Sequence, residues 1–286
     1  MIEFLPTVDS DEIAEMTRRK LSLPRHVAQA LGASAVVAIR AGSYFDDDGN
    51  KVDWAKDVQY SIDSKVTISP TDQLPTSQTR FEKTRVQITN ETTLEAGQRL
   101  VKQGKRPLAL NFANGIQPGG GFLSGALAQE ECLCRSSALF GTLENDPMYE
   151  FHRNRPMPDS TDWAILSPEV PIFRTDVGAA LHEPWQLSFI SCAAPVAYRM
   201  DRGVAAQLLS LRIKRVLSIA HTYGYRELVL GAWGCGAFGN DPCQTAESFR
   251  DELETNFADA FSEIIFAITD WSRERRFLGP FRDVFC

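Results

Sequence analysis

The alternation of apolar, strand-like segments with amphipathic, helical segments from Thr84 onward is the feature that most restricts the fold of this chain. TRVQITN and RPLALNFAN have the composition of strands, and TTLEAGQRLVKQGK between them has the pattern of a helix. The same alternation continues to the strand-like EIIFAITDW near the end of the chain. Strands that alternate with helices favour a sheet covered by helices on both faces. We therefore predict a three-layer α/β core with a mixed or parallel sheet.

The first 83 residues differ from the rest, and we interpret them as an N-terminal α+β extension packed on a core of residues 84–286, the two forming one compact unit. They open with a helical pattern. AVVAIRAG (Ala35–Gly42) is a β-rich run that predicts a strand, and Asp48–Asn50 predicts a hairpin turn. The polar stretch 71–83 and the Pro-rich stretch 145–162 are expected to be surface loops.

Composition and charge exclude several functional classes. The chain has a formal net charge of −7, which argues against general nucleic-acid binding, because that needs a basic face. Its six cysteines show no CxxC spacing and its four histidines lie far from them, so we expect no disulfide framework, no metal and no cofactor. No segment has the ~18 uninterrupted apolar residues of a membrane span, and no signal-peptide pattern opens the sequence. We expect no membrane association and a cytoplasmic location, or a nuclear one in a cell that has a nucleus.

The segment LNFANGIQPGGGF (Leu110–Phe122) is the first candidate binding element. An apolar strand ends near Asn114, and Gly119, Gly120 and Gly121 follow within a few residues. Ligands of α/β sheets bind beyond the carboxyl ends of the strands, and glycines let a sugar or a phosphate approach the backbone closely. A plain flexible turn is the alternative interpretation. The segment matches neither the dinucleotide-binding fingerprint nor a P-loop.

The segment LAQEECLCR (Leu127–Arg135) supplies the adjacent carboxyl groups of Glu130 and Glu131. One carboxyl group can donate the proton that a glycosidic oxygen takes up as its bond breaks, and a second one can anchor the sugar. Adjacent residues point about 100° apart on a helix, so both can face one pocket only near the helix start. The alternative is a solvated i,i+4 ion pair between Glu131 and Arg135.

The segment VLGAWGCGAFGNDP (Val229–Pro242) is the third candidate. A buried strand runs into four glycines with Trp233 and Phe238 between them, and Asp241-Pro242 has the pattern of a helix start. Successive amides before a helix suit a pyrophosphate, and an aromatic ring can pack on a sugar or a base. A tight structural turn is the alternative. Together, the three segments indicate a metal-free site for a nucleotide-sugar.

The spacing of GGG, seven residues and QEE resembles the signature of poly(ADP-ribose) glycohydrolases. The surrounding NFAN, PGGGF and LCR, with the later LVLGAWGCGAFGN, resemble the bacterial-type branch of that family. The resemblance covers roughly Thr84–Trp271 and, less specifically, the GSYFDDDGNKV hairpin. It implies a macrodomain-like core. It also implies hydrolysis of the ribose–ribose O-glycosidic bond of poly(ADP-ribose), exo-acting, with release of ADP-ribose and no cofactor.

The resemblance also implies roles for individual residues. Glu131 is the expected catalytic acid with a raised pKa, Glu130 the residue that fixes the ribose hydroxyls, and Asn114 a contact of the distal ribose. The other implied ligand-binding positions are Gly119, Gly120, Gly121, Gln129, Gly234, Cys235, Gly236, Ala237, Phe238 and Gly239. The chain end FLGPFRDVFC is expected to block the polymer beyond its terminal unit. No adenine-stacking residue is assigned.

Two other functions remain open at this point. A hydrolase of mono-ADP-ribose on a protein or a nucleic acid would use the same site, and a non-catalytic reader would bind ADP-ribose without turnover. The intact QEE sequence speaks against a reader, because binding alone needs no acid at Glu131. The expected partners are poly(ADP-ribose) or an ADP-ribosylated protein, with ADP-ribose as the product.

Overall fold

The computed structural model of the chain describes residues 1–75, 77, 80–155 and 160–286, so the expected loops 71–83 and 145–162 fall partly outside the described residues. The strands are β1 (Ile2–Phe4), β2 (Ser43–Phe45), β3 (Lys51–Asp53), β4 (Val66–Ile68), β5 (Thr84–Thr89), β6 (Leu108–Phe112), β7 (Ala164–Arg174), β8 (Ala180–Cys192), β9 (Glu227–Leu230) and β10 (Glu263–Ala267). The helices are α1 (Asp11–Leu21), α2 (Arg25–Ala41), α3 (Ala55–Asp63), α4 (Thr93–Lys102), α5 (Gln129–Ser136), α6 (Leu139–Leu143), α7 (Pro147–Arg153), α8 (Arg202–Thr222), α9 (Pro242–Thr255) and α10 (Leu278–Val284). In the described part of the chain, no helix is long and apolar enough to cross a membrane.

The central sheet has the strand order β1-β5-β10-β9-β6-β8-β7-β4. The first six strands in this order, β1-β5-β10-β9-β6-β8, are all parallel to their neighbours. The strand β7 runs antiparallel to both β8 and β4. The predicted mixed sheet is therefore confirmed. The strands β2 and β3 form a separate antiparallel hairpin around the predicted turn.

Side chains of the central strands alternate between two apolar cores, one on each face of the sheet. On β6, Leu108 and Leu110 belong to one core and Ala109 to the other, and on β10 Ile264 and Ile265 divide in the same way. The first core includes residues of α8, α9 and α10, and the second includes residues of α2, α4 and α5. A strand buried on both faces needs apolar residues at every position, which explains the unbroken apolar runs of the sequence. The predicted three layers are confirmed.

The segment before Thr84 contributes both edge strands of the sheet. The strand β1 pairs with β5, and β4 pairs with β7. This segment also supplies α2, which packs against α5. The first 83 residues thus share one sheet with the rest of the chain, and the division at residue 83 stays a prediction.

The strand predicted at Ala35–Gly42 is wrong, because this segment is the second half of α2. Ala28, Gly32 and Ala35 are buried and recur at helical spacing, so α2 presents a face of small residues to the core. A side chain at Gly32 would lie 2.6 Å from the carbonyl oxygen of Phe122, which shows how closely the backbones approach. Tertiary packing of this small face outweighs the β propensity of the neighbouring valines and isoleucine.

The end of the chain is part of the core. Leu278 and Phe281 of α10 are 0% exposed and Phe285 is 4% exposed. The ring of Phe266 on β10 lies 5.3 Å from the ring of Phe281 and 4.8 Å from that of Phe285. Of residues 277–286, which were expected to block a polymer, Phe277 lines the large cavity described below and the others do not.

We expect Phe281→Ala to lower the free energy of unfolding by about 3–5 kcal/mol, because it deletes a ring from a closely packed core. Urea denaturation followed by circular dichroism measures this change. Leu211→Ala on α8, where the side chain is 57% exposed, is the control and should change the free energy by less than about 0.5 kcal/mol. Equal effects of the two variants would contradict a structural role for α10.

Candidate active site

The carboxyl ends of β5, β10, β9 and β6 lie side by side along one edge of the sheet, and a cavity of about 850 Å³ opens there. This is the position at which parallel sheets bind ligands. The cavity is lined by eight of the residues singled out from the sequence, namely Asn114, Gln129, Glu130, Glu131, Gly234, Gly236, Ala237 and Phe238. Gly119, Gly120, Gly121, Cys235 and Gly239 do not line it. The three segments identified in the sequence therefore meet at one site.

Gln129, the first residue of α5, fixes the start of this helix against strand β6. Its Oε1 accepts a hydrogen bond from the amide of Phe112 at 2.9 Å. Its Nε2 donates to the carbonyl of Leu110 at 2.8 Å and to Thr93 Oγ1 at 3.1 Å. The ligand contact predicted for Gln129 stays a prediction, whereas these bonds place the two glutamates that follow it.

The carboxyl group of Glu130 lies at the end of β6 and is 3% exposed. Its Oε2 accepts from the backbone amide of Asn114 at 2.7 Å, and its Oε1 lies 3.5 Å from Asn111 Nδ2. The side chain of Asn111 also donates to Ser191 Oγ at 2.9 Å. Glu130 is thus held by the strand end that leads into the glycine loop.

The carboxyl group of Glu131 is 8% exposed and has one oxygen bound and one oxygen free. Its Oε1 accepts from the amide of Gly121 at 2.9 Å. Its Oε2 is buried and has no hydrogen-bond partner within the described residues. Arg135 is 2% exposed and donates to the carbonyl of Ala126, so the alternative of a solvated Glu131–Arg135 pair is wrong. A buried polar atom without a partner is costly unless a water molecule or a ligand supplies one, so Oε2 is available to such a partner.

Gly120 lies directly over both carboxyl groups. A Cβ atom at this position would overlap Glu131 Oε1 and would lie 3.0 Å from Glu130 Oε2. The residue also has a φ of +56°, a conformation that favours glycine. The glycine run is therefore needed for the close approach of the loop to the carboxyl pair, and the alternative of a merely flexible turn is wrong.

Burial raises the pKa of Glu130 to about 8, because a carboxylate removed from water loses its hydration. The Asn114 amide opposes this rise, and the neighbouring charge of Glu131 adds to it. The structure thus gives a raised pKa to the residue that was expected to fix the ribose hydroxyls. Near neutral pH, Glu130 is therefore largely protonated.

The loop between β9 and α9 presents backbone N–H groups to the cavity. Within the described part of the chain, the amides of Gly236, Ala237 and Phe238 donate to no protein acceptor, while neighbouring amides of the loop close turns. Gly234 begins this stretch with a φ of +76°, which turns the chain toward the cavity. Successive free N–H groups suit the oxygens of a phosphate.

The opposite side of this loop is anchored to the protein. The amide of Ala197 donates to the carbonyl of Phe238 at 2.8 Å, and Asn240 Nδ2 donates to the carbonyl of Pro195 at 2.8 Å. Cys235 and Gly239, predicted as ligand contacts, face a second cavity of about 600 Å³ between the starts of α8 and α9. The thiol of Cys235 also contacts a hydroxyl of α9. In this structure these two residues belong to the wall behind the loop.

Several cavity residues were not predicted from the sequence. They are Arg18 and Leu21 of α1, Ser22 just after α1, Glu91, Thr92 and Thr93 after β5, Asp176 between β7 and β8, and Ile268, Thr269, Asp270, Trp271, Ser272 and Phe277 after β10. One signal was available, because Thr92 and Glu95 form a capping box at the start of α4 in the pattern T-x-x-E. The residues of α1 and the β7–β8 turn carry no comparable signal.

The cysteines and the other metal-ligating side chains form no metal centre in the described ranges, where no group of three or more His, Cys, Asp or Glu is arranged around one point. All six cysteines carry free thiols.

Comparisons with known proteins agree on one family. The family model described as microbial-type PARG, catalytic domain, matches residues 33–175. The crystal structure of poly(ADP-ribose) glycohydrolase from Thermomonospora curvata has 36% sequence identity and a TM-score of 0.84, over 91% of this chain and 99% of that one. The chain belongs to the microbial-type poly(ADP-ribose) glycohydrolase family. This confirms the family and the fold that the GGG and QEE motifs predicted.

Two further glycohydrolase structures carry ligands. The Thermomonospora curvata protein bound to the inhibitor ADP-HPD has a TM-score of 0.83 at 36% identity, over 90% of this chain and 99% of that one. The Deinococcus radiodurans protein in complex with ADP-ribose has a TM-score of 0.72 at 35% identity, over 79% of this chain and 96% of that one. A sequence comparison with curated proteins gives no match.

For this glycohydrolase family member we expect Gly120→Ala to weaken binding of ADP-ribose, the ligand of the Deinococcus radiodurans structure, by at least about tenfold, or about 1.4 kcal/mol. The reason is that the added methyl group displaces both carboxyl groups. Isothermal titration calorimetry measures the affinity. Gly224→Ala is the matched control, because Gly224 has a φ of +77° but a Cβ atom added to it would meet no atom within 4 Å. Equal weakening by both variants would assign the effect to backbone strain alone.

The raised pKa of Glu130 predicts a pH-dependent stability. A carboxyl group whose pKa is higher in the folded state than in the unfolded state stabilises the protein fully below its unfolded pKa of 4.5. This stability is lost as pH rises toward about 8. We therefore expect Glu130→Gln to gain stability relative to wild type as pH rises from 5 to 8, in thermal melts at several pH values. The exposed Glu12→Gln should show the same pH dependence of the melting temperature as wild type. A difference in melting temperature between Glu130→Gln and wild type that does not change with pH would contradict the raised pKa of Glu130.

Proposed function

We propose that this protein hydrolyses the ribose–ribose O-glycosidic bond of poly(ADP-ribose) and releases ADP-ribose. The observation that carries the proposal is the free, buried Oε2 of Glu131 beside the buried carboxyl group of Glu130, both under Gly120. A glycosidic bond needs a proton donor at its oxygen, and a pair of carboxyl groups in one pocket is the usual means of supplying it. The family to which the chain belongs supports the same substrate.

In the proposed mechanism Glu131 acts at the scissile bond. Its Oε2 protonates the departing 2′-oxygen of the penultimate unit as the bond to C1″ of the terminal ribose breaks. The carboxylate that results is close enough to stabilise the positive charge that develops on the ribose. It then takes a proton from a water molecule, which adds to C1″ and completes the hydrolysis. The Gly121 amide on Oε1 holds the carboxyl group in place throughout these steps.

Glu130 and Asn114 are proposed to fix the terminal ribose. Glu130 is held by the Asn114 amide, and its protonated form near neutral pH can both donate to and accept from sugar hydroxyls. Such a contact places C1″ beside Glu131 and supplies the orientation on which an enzyme of this kind depends. Phe238, which lines the cavity from the opposite wall, is proposed to pack against this ribose.

The diphosphate is proposed to lie on the loop between β9 and α9. The unpaired amides of Gly236, Ala237 and Phe238 can donate to its oxygens, so no lysine or arginine is needed at this point. The loop's anchorage to the segment before α8 keeps these amides in position. This arrangement explains how a chain of net charge −7 can bind a dianionic group.

The adenosine end is proposed to lie beyond the ends of β5 and β10. Trp271 is 49% exposed and Phe277 is partly buried, and both line the cavity, so either ring can stack on adenine. These two residues are our candidates for the adenine-stacking position that the sequence left unassigned. Glu91 and Thr92 supply polar groups at the same end of the cavity.

We propose exo-cleavage because hydrogen bonds hold the rim of the cavity at the adenosine end, which residues 270–278 after β10 form. Asp270 accepts from the amides of Phe277 at 2.7 Å and Leu278 at 3.1 Å. Arg275 in the same loop is 8% exposed and donates to Asp9 at 2.7 Å and to Asp11 at 2.9 Å. A rim that is hydrogen-bonded to residues near the start of the chain favours a polymer whose terminal unit lies in the cavity. It does not favour a polymer that continues beyond the adenosine.

Hydrolysis of mono-ADP-ribose from a protein or a nucleic acid, and binding without turnover, are the alternative functions. The first would use the same residues with a different leaving group, and the second would leave the unpaired Glu131 Oε2 without a role. Poly(ADP-ribose) or an ADP-ribosylated protein is the proposed partner. We propose a reducing compartment such as the cytoplasm, because all six cysteines carry free thiols.

The test compares wild type and Glu131→Gln on purified poly(ADP-ribose), with free ADP-ribose followed by mass-resolved chromatography. We expect the variant to lose about 10²–10⁴-fold in rate, because it lacks the proton donor, and to keep ADP-ribose binding. Glu12→Gln, at an exposed position, is the control for a charge change. Release by neither protein, with ADP-ribose binding retained, would contradict the polymer as substrate and favour mono-ADP-ribosylated substrates.

The same experiment tests the mode of cleavage. Exo-cleavage gives ADP-ribose monomers from the first time points, whereas internal cleavage gives short oligomers early. Early oligomers from wild type would contradict exo-action without affecting the role of Glu131.

A further inference from the structure

The side chain of Asp176 is a buried carboxyl group in the wall of the substrate cavity, and the proposed mechanism does not use it. It lies in the turn between β7 and β8 and is 4% exposed. Its Oδ2 accepts from Thr92 Oγ1 at 2.8 Å, and its Oδ1 accepts from Cys132 Sγ at 3.2 Å. Each of the two oxygens therefore accepts one hydrogen bond from a protein donor.

The two donors belong to the starts of two different helices. Thr92 is the N-cap of α4, and its Oγ1 accepts from the amide of Glu95 at 3.1 Å, so its single hydrogen is free to point at Asp176. Cys132 lies in the first turn of α5, immediately after Glu131. Asp176 therefore ties the helix that carries the carboxyl pair to the helix beside it.

The carboxyl pair is held from both sides by this arrangement. Gln129 precedes the pair and is bound to strand β6, and Cys132 follows the pair and is bound to Asp176. Glu130 has its own anchor in the Asn114 amide and keeps its place without Cys132. Glu131 lies next to Cys132, and without the hydrogen bond to Asp176 a shift of this part of α5 would separate Glu131 Oε1 from the Gly121 amide, which now lies 2.9 Å away.

The surroundings of Asp176 argue against a role in stability. In the described part of the chain no ion pair joins it to a cation, since the nearby Lys20 pairs with Glu95. Burial also raises the pKa of Asp176, which shows that its charged form is disfavoured where it lies. A buried carboxyl group without a cation costs stability, so its presence needs another reason.

We propose that Asp176 is a positioning residue, which holds Glu131 in its reactive geometry through the hydrogen bond from Cys132. The proposal rests on the proposed glycohydrolase function for its kinetic part. It concerns no contact with substrate, and it predicts a loss of turnover without a loss of binding.

The first test is the kinetics of Asp176→Asn on poly(ADP-ribose). An asparagine has one acceptor oxygen in place of two, so it cannot accept from both Thr92 and Cys132. We expect kcat to fall on the order of 10²-fold, the effect of displacing a reactive group by about 1 Å, with KM and ADP-ribose affinity unchanged. The melting temperature should change little, because the loss of one hydrogen bond is offset by the removal of a buried charge that no cation neutralises. Wild-type kcat in Asp176→Asn, or losses of kcat and stability together, would overturn the proposal.

Matched variants separate positioning from other effects. Cys132→Ser keeps a hydrogen-bond donor and should retain more of kcat than Cys132→Ala, which removes the donor. Equal losses in the two Cys132 variants would overturn the proposal. Asp46→Asn changes another buried carboxyl group, which accepts from Asn50 in the β2–β3 hairpin away from the cavity, and it should keep wild-type kcat. A loss of kcat in Asp46→Asn as large as that in Asp176→Asn would also contradict the proposed role of Asp176.

A crystal structure of Asp176→Asn decides the geometric part without any assay of turnover. We expect the distance between Glu131 Oε1 and the Gly121 amide to exceed hydrogen-bond length, and an unchanged distance of 2.9 Å would overturn the proposal. If wild type releases no ADP-ribose from the polymer, the proposed function fails, and this distance still decides the role of Asp176.

Discussion

Two carboxyl groups buried side by side in the first turn of α5 are the constraint on which the rest of the structure depends. Both groups are removed from water, and the charge of Glu131 adds to the cost of charging Glu130. Among the described residues, no cation forms an ion pair with either group. Instead, Glu130 is held by the amide of Asn114 and Glu131 by the amide of Gly121, both from the loop that follows β6. The loop must therefore approach the helix to hydrogen-bond distance, and only glycine at position 120 permits that approach.

The proposed recognition of a diphosphate by this acidic protein follows the same principle. Donors come from backbone amides, whose positions are set by the fold and whose number does not depend on lysine or arginine. The loop after β9 can present such amides because its far side is bonded to the segment between β8 and α8. A loop held in this way does not need to be ordered by its ligand, so less binding energy is lost on association.

The parallel sheet brings these pieces together. Four neighbouring strands end at one edge, and each end contributes a different part of the cavity: polar groups after β5, the rim after β10, free amides after β9 and the glycine loop after β6. Both faces of the sheet are buried in apolar cores, which leaves the strand ends as the place where polar groups can converge. Helix α1 and the β7–β8 turn then close the cavity from outside the sheet.

Much of the fold and of the candidate site could be predicted from the sequence alone, because the patterns that indicate them lie within short segments. Unbroken apolar runs predicted strands within a sheet covered on both faces, and glycine runs predicted close backbone approach. The resemblance of the GGG and QEE motifs to a known family predicted two carboxyl groups in one site. What only the tertiary structure decided involves contacts between distant segments. The second half of α2, from Ala35 onward, has the composition of a strand, yet the buried face of small residues on this helix packs against the core. Gln129 binds strand β6, Cys235 faces away from the cavity, and Asp176 reaches Cys132 from another part of the chain. Burial raises the pKa of Glu130. Burial depends on how the whole chain packs, so a local sequence pattern does not predict it.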